Sequence, residues 1–389
     1  LLLCPEVSHA DQGGSSFWFP GQFASLAAVQ QTPGWALSVI DYHSSVAAAG
    51  SAAAAREIPA GRIPATVNVD LNLSLTGRTD LVALAPSYTF AMAVLGGQLV
   101  VGMSGQYGRA AASIAGTLTA IAGPIMVTRT GMLEGSLTSY GDLAPFAELL
   151  WNHGVNNYMV YVTGNVPVGD YDPTRIPNIG LGHGAIDIGG AYTYFDPAAG
   201  NEISGVAGLT YNFRNPDTQY RSGIDFHFDW GASQFLSKQV FVGLVGYAYQ
   251  QISDDTGGHP ILGGFRSRVL GIGPQIGYIF PVGNMQGYLN VKGYGEFDAA
   301  NRPSGCVCLR MPPPVRAEKH APWALTPPPS PPGLAPLAVS RKSPTAHLCS
   351  STRAASASPR GVRKGTPSNN NRLSLPCQIV VSKIGVSMR

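Results

Sequence analysis

The chain has 389 residues with 25 Lys and Arg against 22 Asp and Glu, but its formal charge of +3 averages two unlike parts. Residues 1–305 hold 13 of the basic and 21 of the acidic side chains, a balance of −8, whereas residues 306–389 hold the other 12 basic residues and one acid, Glu318, a balance of +11. No run of about 18 apolar residues occurs, so a transmembrane helix is excluded and only a closed β-barrel could carry such a chain across a bilayer.

The amino end begins Leu1-Leu2-Leu3-Cys4 and reaches Ser8-His9-Ala10. A leucine run followed by a small-x-small site reads as the remnant of a signal peptide over residues 1–10, with the exported chain starting near Asp11. Leu3 is bulky where a small residue precedes a lipidated cysteine, which argues against lipidation at Cys4. Residues 11–34, which include Gly13-Gly14-Ser15-Ser16-Phe17-Trp18-Phe19-Pro20, follow neither strand nor helix periodicity and read as an irregular N-terminal segment.

Strand patterns then succeed one another. The clearest runs from Thr66 to Thr76, where Val67, Val69, Leu71, Leu73 and Leu75 alternate with Asn68, Asp70, Asn72 and Ser74 without an error. A period of two puts these sets on opposite faces of one strand. The alternation recurs at 203–213, at 224–230, where Ile224, Phe226, Phe228 and Trp230 oppose Asp225, His227 and Asp229, and at 288–297, where Asn290, Lys292, Tyr294 and Glu296 share the polar side. Twelve strand-like segments are predicted, near 35–46, 62–76, 80–93, 97–109, 142–152, 155–168, 184–196, 202–214, 223–236, 239–252, 265–280 and 285–298. Residues 110–141 either extend two neighbouring strands or fold as a loop inside the lumen. Most segments are 12 to 15 residues long, which suits tilted membrane strands with extensions better than a soluble sandwich.

Connections come in two sizes. Short ones, at 152–154, 236–238 and 281–284, are hairpin turns of the periplasmic type, and long ones, at 47–61, 169–183, 215–222 and 253–264, suit the outer face of such a barrel. Trp35, Trp151, Tyr171, Trp230, Phe280 and Phe297 are placed to supply interfacial girdles.

No catalytic motif stands out. His43, His153, His183, His227 and His259 could act as bases, yet none lies beside a recognisable nucleophile and no Gly-x-Ser-x-Gly elbow occurs. The spacing Asp225-x-His227-x-Asp229 could hold a metal, but it equally describes a hydrogen-bonded lumen wall; neither a metal nor a cofactor is expected. Gly257-Gly258 and Gly263-Gly264 lack the Lys-Ser/Thr and helix of a phosphate loop.

The stretch Gly208–Gly223, with Gly246-Tyr247-Ala248-Tyr249-Gln250-Gln251, Gly271-Ile272-Gly273-Pro274-Gln275-Ile276-Gly277-Tyr278, Tyr294-Gly295-Glu296-Phe297 and the early Gly13–Phe23 segment, resembles the family described as the meta-pathway of phenol degradation, over about residues 11–304. The resemblance implies a barrel in the outer membrane of a Gram-negative bacterium that takes up aromatic or other hydrophobic compounds. It carries no defined binding residues.

After Gly305 the alternation ends. Residues 306–389 hold 14 of the 31 prolines, four of the five cysteines and one aromatic residue, Trp323, and read as a disordered tail. Cys306-Val-Cys308 has no second pair at zinc spacing. The tail's positive charge could attract nucleic acid or an anionic membrane, but no nucleic-acid partner is expected. A frameshift near Gly305–Cys306 would explain the change and would leave the barrel without its native last strand.

The sequence therefore predicts an all-β antiparallel transmembrane barrel of about 12–14 strands over 35–305, in the outer membrane, passively admitting small hydrophobic or aromatic solutes. An outer-membrane enzyme, or a structural or receptor barrel, is the alternative, and a soluble β-sandwich a more distant one. The expected lumen-lining residues are Asn68, Asp70, Asn72, Asp225, His227, Asp229, Asn290, Lys292, Tyr294 and Glu296.

Overall fold

The computed structural model describes residues 16–23, 25–49, 68–122, 125–257, 266–283, 285–310 and 381–382; at 49, 68–73, 118–122, 125–127, 308–310 and 381–382 it describes the backbone alone. The expected signal peptide and most of the basic tail lie outside these residues.

Twelve antiparallel strands follow in chain order: β1 (Gly34–Ala49), β2 (Asn68–Val94), β3 (Gly97–Ala122), β4 (Ile125–His153), β5 (Asn156–Asn165), β6 (Ala185–Asp196), β7 (Asn201–Asn212), β8 (Asp225–Phe235), β9 (Val240–Gln251), β10 (Arg268–Val282), β11 (Met285–Ala300) and β12 (Ser304–Arg310). Each pairs with its sequence neighbours, and β12 pairs with β1, so the sheet closes on itself. Where strands pair on both sides, closure satisfies the wall amides within the sheet, the condition for a strand structure in lipid. It also sets aside the sandwich, which needs two packed sheets.

The closing strand is the main departure from the sequence reading. Seven residues, Ser304–Arg310, pair with β1 from Asp41↔Arg310 to Ala47↔Ser304, and four of them pair with β11. The wall is thus completed by residues assigned above to Gly305 and the tail. Nothing in Cys306-Val307-Cys308-Leu309 alternates in polarity, but two waiting edges supply hydrogen-bond partners that local pattern does not reveal. A two-residue segment, Val381–Ser382, meets β1 at Ile40.

The other departure concerns strand count. The described part of the segment 62–76, from Asn68 on, and the segment 80–93 are one strand, because Gly77, Arg78 and Thr79 stay in register with Val46, Ser45 and Ser44 on one side and Ala112, Ala111 and Ala110 on the other. Residues 110–141 extend β3 and β4, the first of the two readings above. β2, β3 and β4 therefore reach 27, 26 and 29 residues.

Turns of a few residues join β2–β3, β4–β5, β6–β7, β8–β9 and β10–β11 at one end. Leu95 and Gly96 both have positive φ, the geometry of a type I′ turn matched to strand twist. Long connections at the other end include 166–184, 213–224 and 252–267.

Burial alternates along the strands. On β7, Glu202, Ser204, Val206, Gly208, Thr210 and Asn212 are buried, while Ile203, Leu209 and Tyr211 are 58%, 43% and 43% exposed. Apolar side chains such as Val160, Ile188, Leu244 and Ile276 also face out, so the interior is polar and the exterior greasy, the inverse of a soluble protein. Aromatic rings form rows at two levels. Trp35–Tyr88 and Tyr158–Tyr192 are cross-strand partners near the short turns, and Tyr107–Tyr140, also partners, stand nearer the long loops. Tyr171 is not in a girdle: it lies in a loop, its ring against Gly182.

Candidate functional site: the filled lumen

Seven of the ten expected lumen residues line the inside of the wall on β8 and β11. Asp225 accepts hydrogen bonds from Tyr249 Oη (2.7 Å) and Asn212 Nδ2 (2.8 Å). His227 Nε2 lies 2.9 Å from Asp187 Oδ2, which also accepts from Thr210 Oγ1 at 2.5 Å. Asn290 Nδ2 donates to Gln275 Oε1 (3.2 Å), and Glu296 accepts from Tyr247 Oη (2.7 Å) and from the Gly305 amide (2.8 Å), which ties the closing strand to β11. Parity alone placed these residues, since each strand has one buried face.

Asn68, Asp70 and Asn72 lie on β2 beyond the described end of β1. β1 ends at the Ala49↔Ser74 pair, and β5 pairs with β4 only from Phe146 onward. Among the described residues, only β3 pairs with β2 at the level of residues 68–73. The side chains of these three residues lie outside the described residues. Alternation reports two unlike faces and does not say whether one of them is lipid or lumen.

The lumen is occupied. Residues 16–23 and 25–33, read from sequence only as irregular, run through it and touch the wall almost all the way round. Trp18 is 2% exposed and donates its indole N–H to Asp229 Oδ2 at 2.9 Å. Its ring stacks on His227 (centroids 5.1 Å, 18°) and Tyr249 (5.8 Å, 10°) and meets Tyr247 edge-on. Lys292, 1% exposed, donates to the carbonyls of Gly21 (2.5 Å) and Phe23 (3.1 Å). Ser25 Oγ joins Ser233 Oγ (2.8 Å) and accepts from Gln275 Nε2 (2.6 Å). The Leu26 amide donates to Glu202 Oε1 (2.9 Å), the Ala28 amide to Thr193 Oγ1 (3.1 Å), and Gln31 exchanges two hydrogen bonds with Gln98.

Side chains of the wall thus meet the backbone of this segment, in which turn bonds from the Gln22 amide to Phe19 and from the Val29 amide to Leu26 satisfy two amides and no strand or helix satisfies the others. Each such bond contributes about 0.5–1.5 kcal/mol net, and those to charged groups more. At Gly21 the backbone has φ +74°, and a Cβ would fall 2.6 Å from the Tyr294 ring, so the turn admits glycine alone without strain. The available sequence signal was compositional: Phe17, Trp18, Phe19 and Phe23 crowd a stretch too irregular to be a strand, and such aromatics must be buried somewhere.

A second element closes the opposite half. The loop 166–184 is pinned by Asp142, 4% exposed, which accepts from the amides of Gly169 and Leu181 and from Asn165 Nδ2, each at 2.8 Å. Ile179 packs on Leu81 and Ala110, where Phe19 of the N-terminal segment also packs, so the two fillings meet. Arg175 binds Asp170 at 2.5 Å and holds its carboxyl below the usual range. Burial holds the His183 imidazole below its ordinary pKa, which keeps it neutral.

Two solved structures are reported for comparison. An outer membrane channel from Pseudomonas putida F1 has a TM-score of 0.53 at 12% identity, covering 75% of this chain and 99% of that one. A FadL homologue from Pseudomonas aeruginosa has a TM-score of 0.34 at 9% identity, covering 71% and 88%. No curated protein matches the chain. The first likeness supports the same fold, a closed outer-membrane-type barrel, in agreement with the strand order above. The family model described as "Putative MetA-pathway of phenol degradation" matches residues 59–306, more than half of the chain, and the chain belongs to that family.

Proposed function

We propose that this barrel sits in the outer membrane and passively admits small aromatic or hydrophobic solutes, and that residues 16–33 are its gate. The observation that carries this reading is the nature of the filling. A barrel of about eight strands can fill its interior with side chains of its own wall, and diameter grows with strand number, so twelve strands enclose a wider interior. Here a segment that joins the wall at Gly34 takes that space and is held largely by hydrogen bonds that water can replace.

The chemistry of the interior agrees with a solute that is flat and weakly polar. Aromatic rings of Phe23, Tyr161, Tyr247, Tyr249 and Tyr294 alternate with buried hydroxyls and carboxylates. Such a wall offers stacking as well as a few hydrogen bonds. The family's description, which refers to phenol degradation, points to the same class of solute.

Liposomes containing the purified full chain test the proposal. Phenol and toluene should equilibrate faster than across protein-free vesicles, with no energy source, and removal of residues 16–33 should raise the rate. A barrel that stays sealed to both solutes with and without residues 16–33 would indicate a structural or receptor role instead.

A further inference from the structure

The outward face of β1–β4 changes character along the strands. Cross-strand pairing sets three rows that share this face: Asp41, Val82, Tyr107 and Tyr140; then His43, Asp80, Arg109 and Thr138; then Ser45, Arg78, Ala111 and Ser136. The first row closes the apolar band that includes Leu37 and Leu84, and its two tyrosine rings pack with centroids 4.9 Å apart. The next two rows are polar and lie toward the long connections. Tyrosines mark the level at which hydrocarbon gives way to headgroups, so these rows stand among headgroups and not among acyl chains.

Charge in the two polar rows is unevenly used. Asp80 is engaged from both sides, because His43 Nδ1 meets its Oδ1 and Arg78 Nε donates to its Oδ2 at 3.1 Å. Arg109, the cross-strand partner of Asp80, makes one hydrogen bond, from Nη2 to Ser136 Oγ at 3.4 Å, and pairs with no carboxylate among the described residues. Both arginines are exposed. Between them stands Ala111, whose methyl leaves the space bounded by Arg78, Arg109, Ser136 and Thr138 open outward. Two guanidinium groups and two hydroxyls, all able to donate, thus surround one spot. The exposed carboxylate of Glu134 stands one row farther from the tyrosines and bounds the patch on that side.

A phosphate monoester is the anion that fits this set. Its oxygens accept from several donors at once, and guanidinium groups bind phosphate in a bidentate manner that an ammonium does not reproduce. Height decides the source, because the polar rows directly beyond a tyrosine row are where the headgroup of a lipid packed on the wall must lie. We propose that Arg78, Arg109, Ser136 and Thr138 bind the phosphate monoester of an outer-leaflet lipid whose acyl chains lie against Val82, Leu84 and the tyrosine row. This inference concerns the outer surface and goes beyond the passage proposed above. It shares with that reading only the placement of the barrel in the outer membrane with its long connections outward.

The test is native mass spectrometry of the full chain in detergent micelles, titrated with lipid A, which carries phosphate monoesters, and with phosphatidylglycerol, a phosphodiester. Wild type should bind one lipid A about tenfold more tightly than phosphatidylglycerol. Arg109→Gln should lower lipid A affinity about tenfold, Arg109→Lys should restore only part of it, and Asp80→Asn, which releases Arg78, should raise it. Lys238→Gln, at a short turn on the far end of the barrel, should change nothing. These side chains stand on the surface of a wall held by backbone pairs, and the mobility shift on boiling checks the fold of each variant. Equal lipid A binding by wild type and R109Q, or no preference for lipid A over phosphatidylglycerol, overturns the site. Displacement of bound lipid A by inorganic phosphate overturns the lipid as its source. The passage is judged separately by phenol flux: loss of lipid binding with flux intact removes this site alone, and loss of flux with lipid binding intact removes the passage alone.

Discussion

Lys292→Met should release the N-terminal segment while leaving the barrel intact. The ammonium of Lys292 is buried and donates to two carbonyls of one turn, those of Gly21 and Phe23. Hydrogen bonds to a charged group contribute about 1.5–3 kcal/mol each, so the gross loss is about 3–6 kcal/mol. Part of it is offset, because the ammonium regains water when the segment leaves. A net change of about 2 kcal/mol is expected, which shifts the docking equilibrium about 30-fold. The assay is the alkylation rate of a cysteine placed by Phe23→Cys, in a chain whose five native cysteines are replaced by serine. Phe23 packs against Tyr161 with centroids 5.0 Å apart, so the thiol reacts only when the segment opens. K292M should speed alkylation about 30-fold. The strand β11 that carries Lys292 is held by backbone pairs, so the mobility shift on boiling should persist. An unchanged alkylation rate would refute the assignment of Lys292 as an anchor.

Three further outcomes follow from the same geometry. Gly21→Ala places a methyl in the Tyr294 ring and forces an L residue to positive φ, at a cost of about 1–3 kcal/mol, and should raise alkylation at position 23 at least fivefold. The loop 166–184 should loosen as pH falls. His183 has a folded pKa below its ordinary 6.5, so the open loop takes up the proton first and stability is lost as pH drops below about that value; Asp170, held low by Arg175, adds loss of the same sign below about 4. Protection factors of the Gly169 and Leu181 amides, taken against the intrinsic exchange rate at pH 7.5, 5.5 and 3.5, should fall stepwise, and Arg175→Ala should remove the lower step. Leu244→Arg, on the outward face of β9, should destabilise the barrel in lipid vesicles by about 2–4 kcal/mol in denaturant titration, whereas Leu244→Phe should not.

Much of the wall was legible because a strand with one polar and one apolar environment must alternate. Asp225, His227 and Asp229 came out on the inside for that reason, as did Asn290, Lys292, Tyr294 and Glu296. The same rule puts Asn68, Asp70 and Asn72 on one face of β2, but their side chains lie outside the described residues. The polar run Thr76-Gly77-Arg78-Thr79-Asp80 looks like a turn, yet it stays in the ladder because partners on both sides satisfy its backbone. β12 was missed for the converse reason: its seven residues have no pattern and are held by the edges that receive them. The contents of the lumen were the least legible. Asp187 lies 40 residues from His227 and Trp18 lies 211 from Asp229, and such contacts depend on closure of the whole barrel.

The central claim is that residues 16–33 gate a passage for aromatic solutes, and a reversible lock tests it most directly. Ser25 and Ser233 have their Oγ atoms 2.8 Å apart, one on the segment and one on β8, so Ser25→Cys with Ser233→Cys in the cysteine-free chain should form a disulfide across the lumen. Phenol flux into vesicles should fall to the protein-free rate when this bond is oxidised and return on reduction, while the single variants ignore the reductant. Equal flux in the oxidised and reduced states would contradict the account.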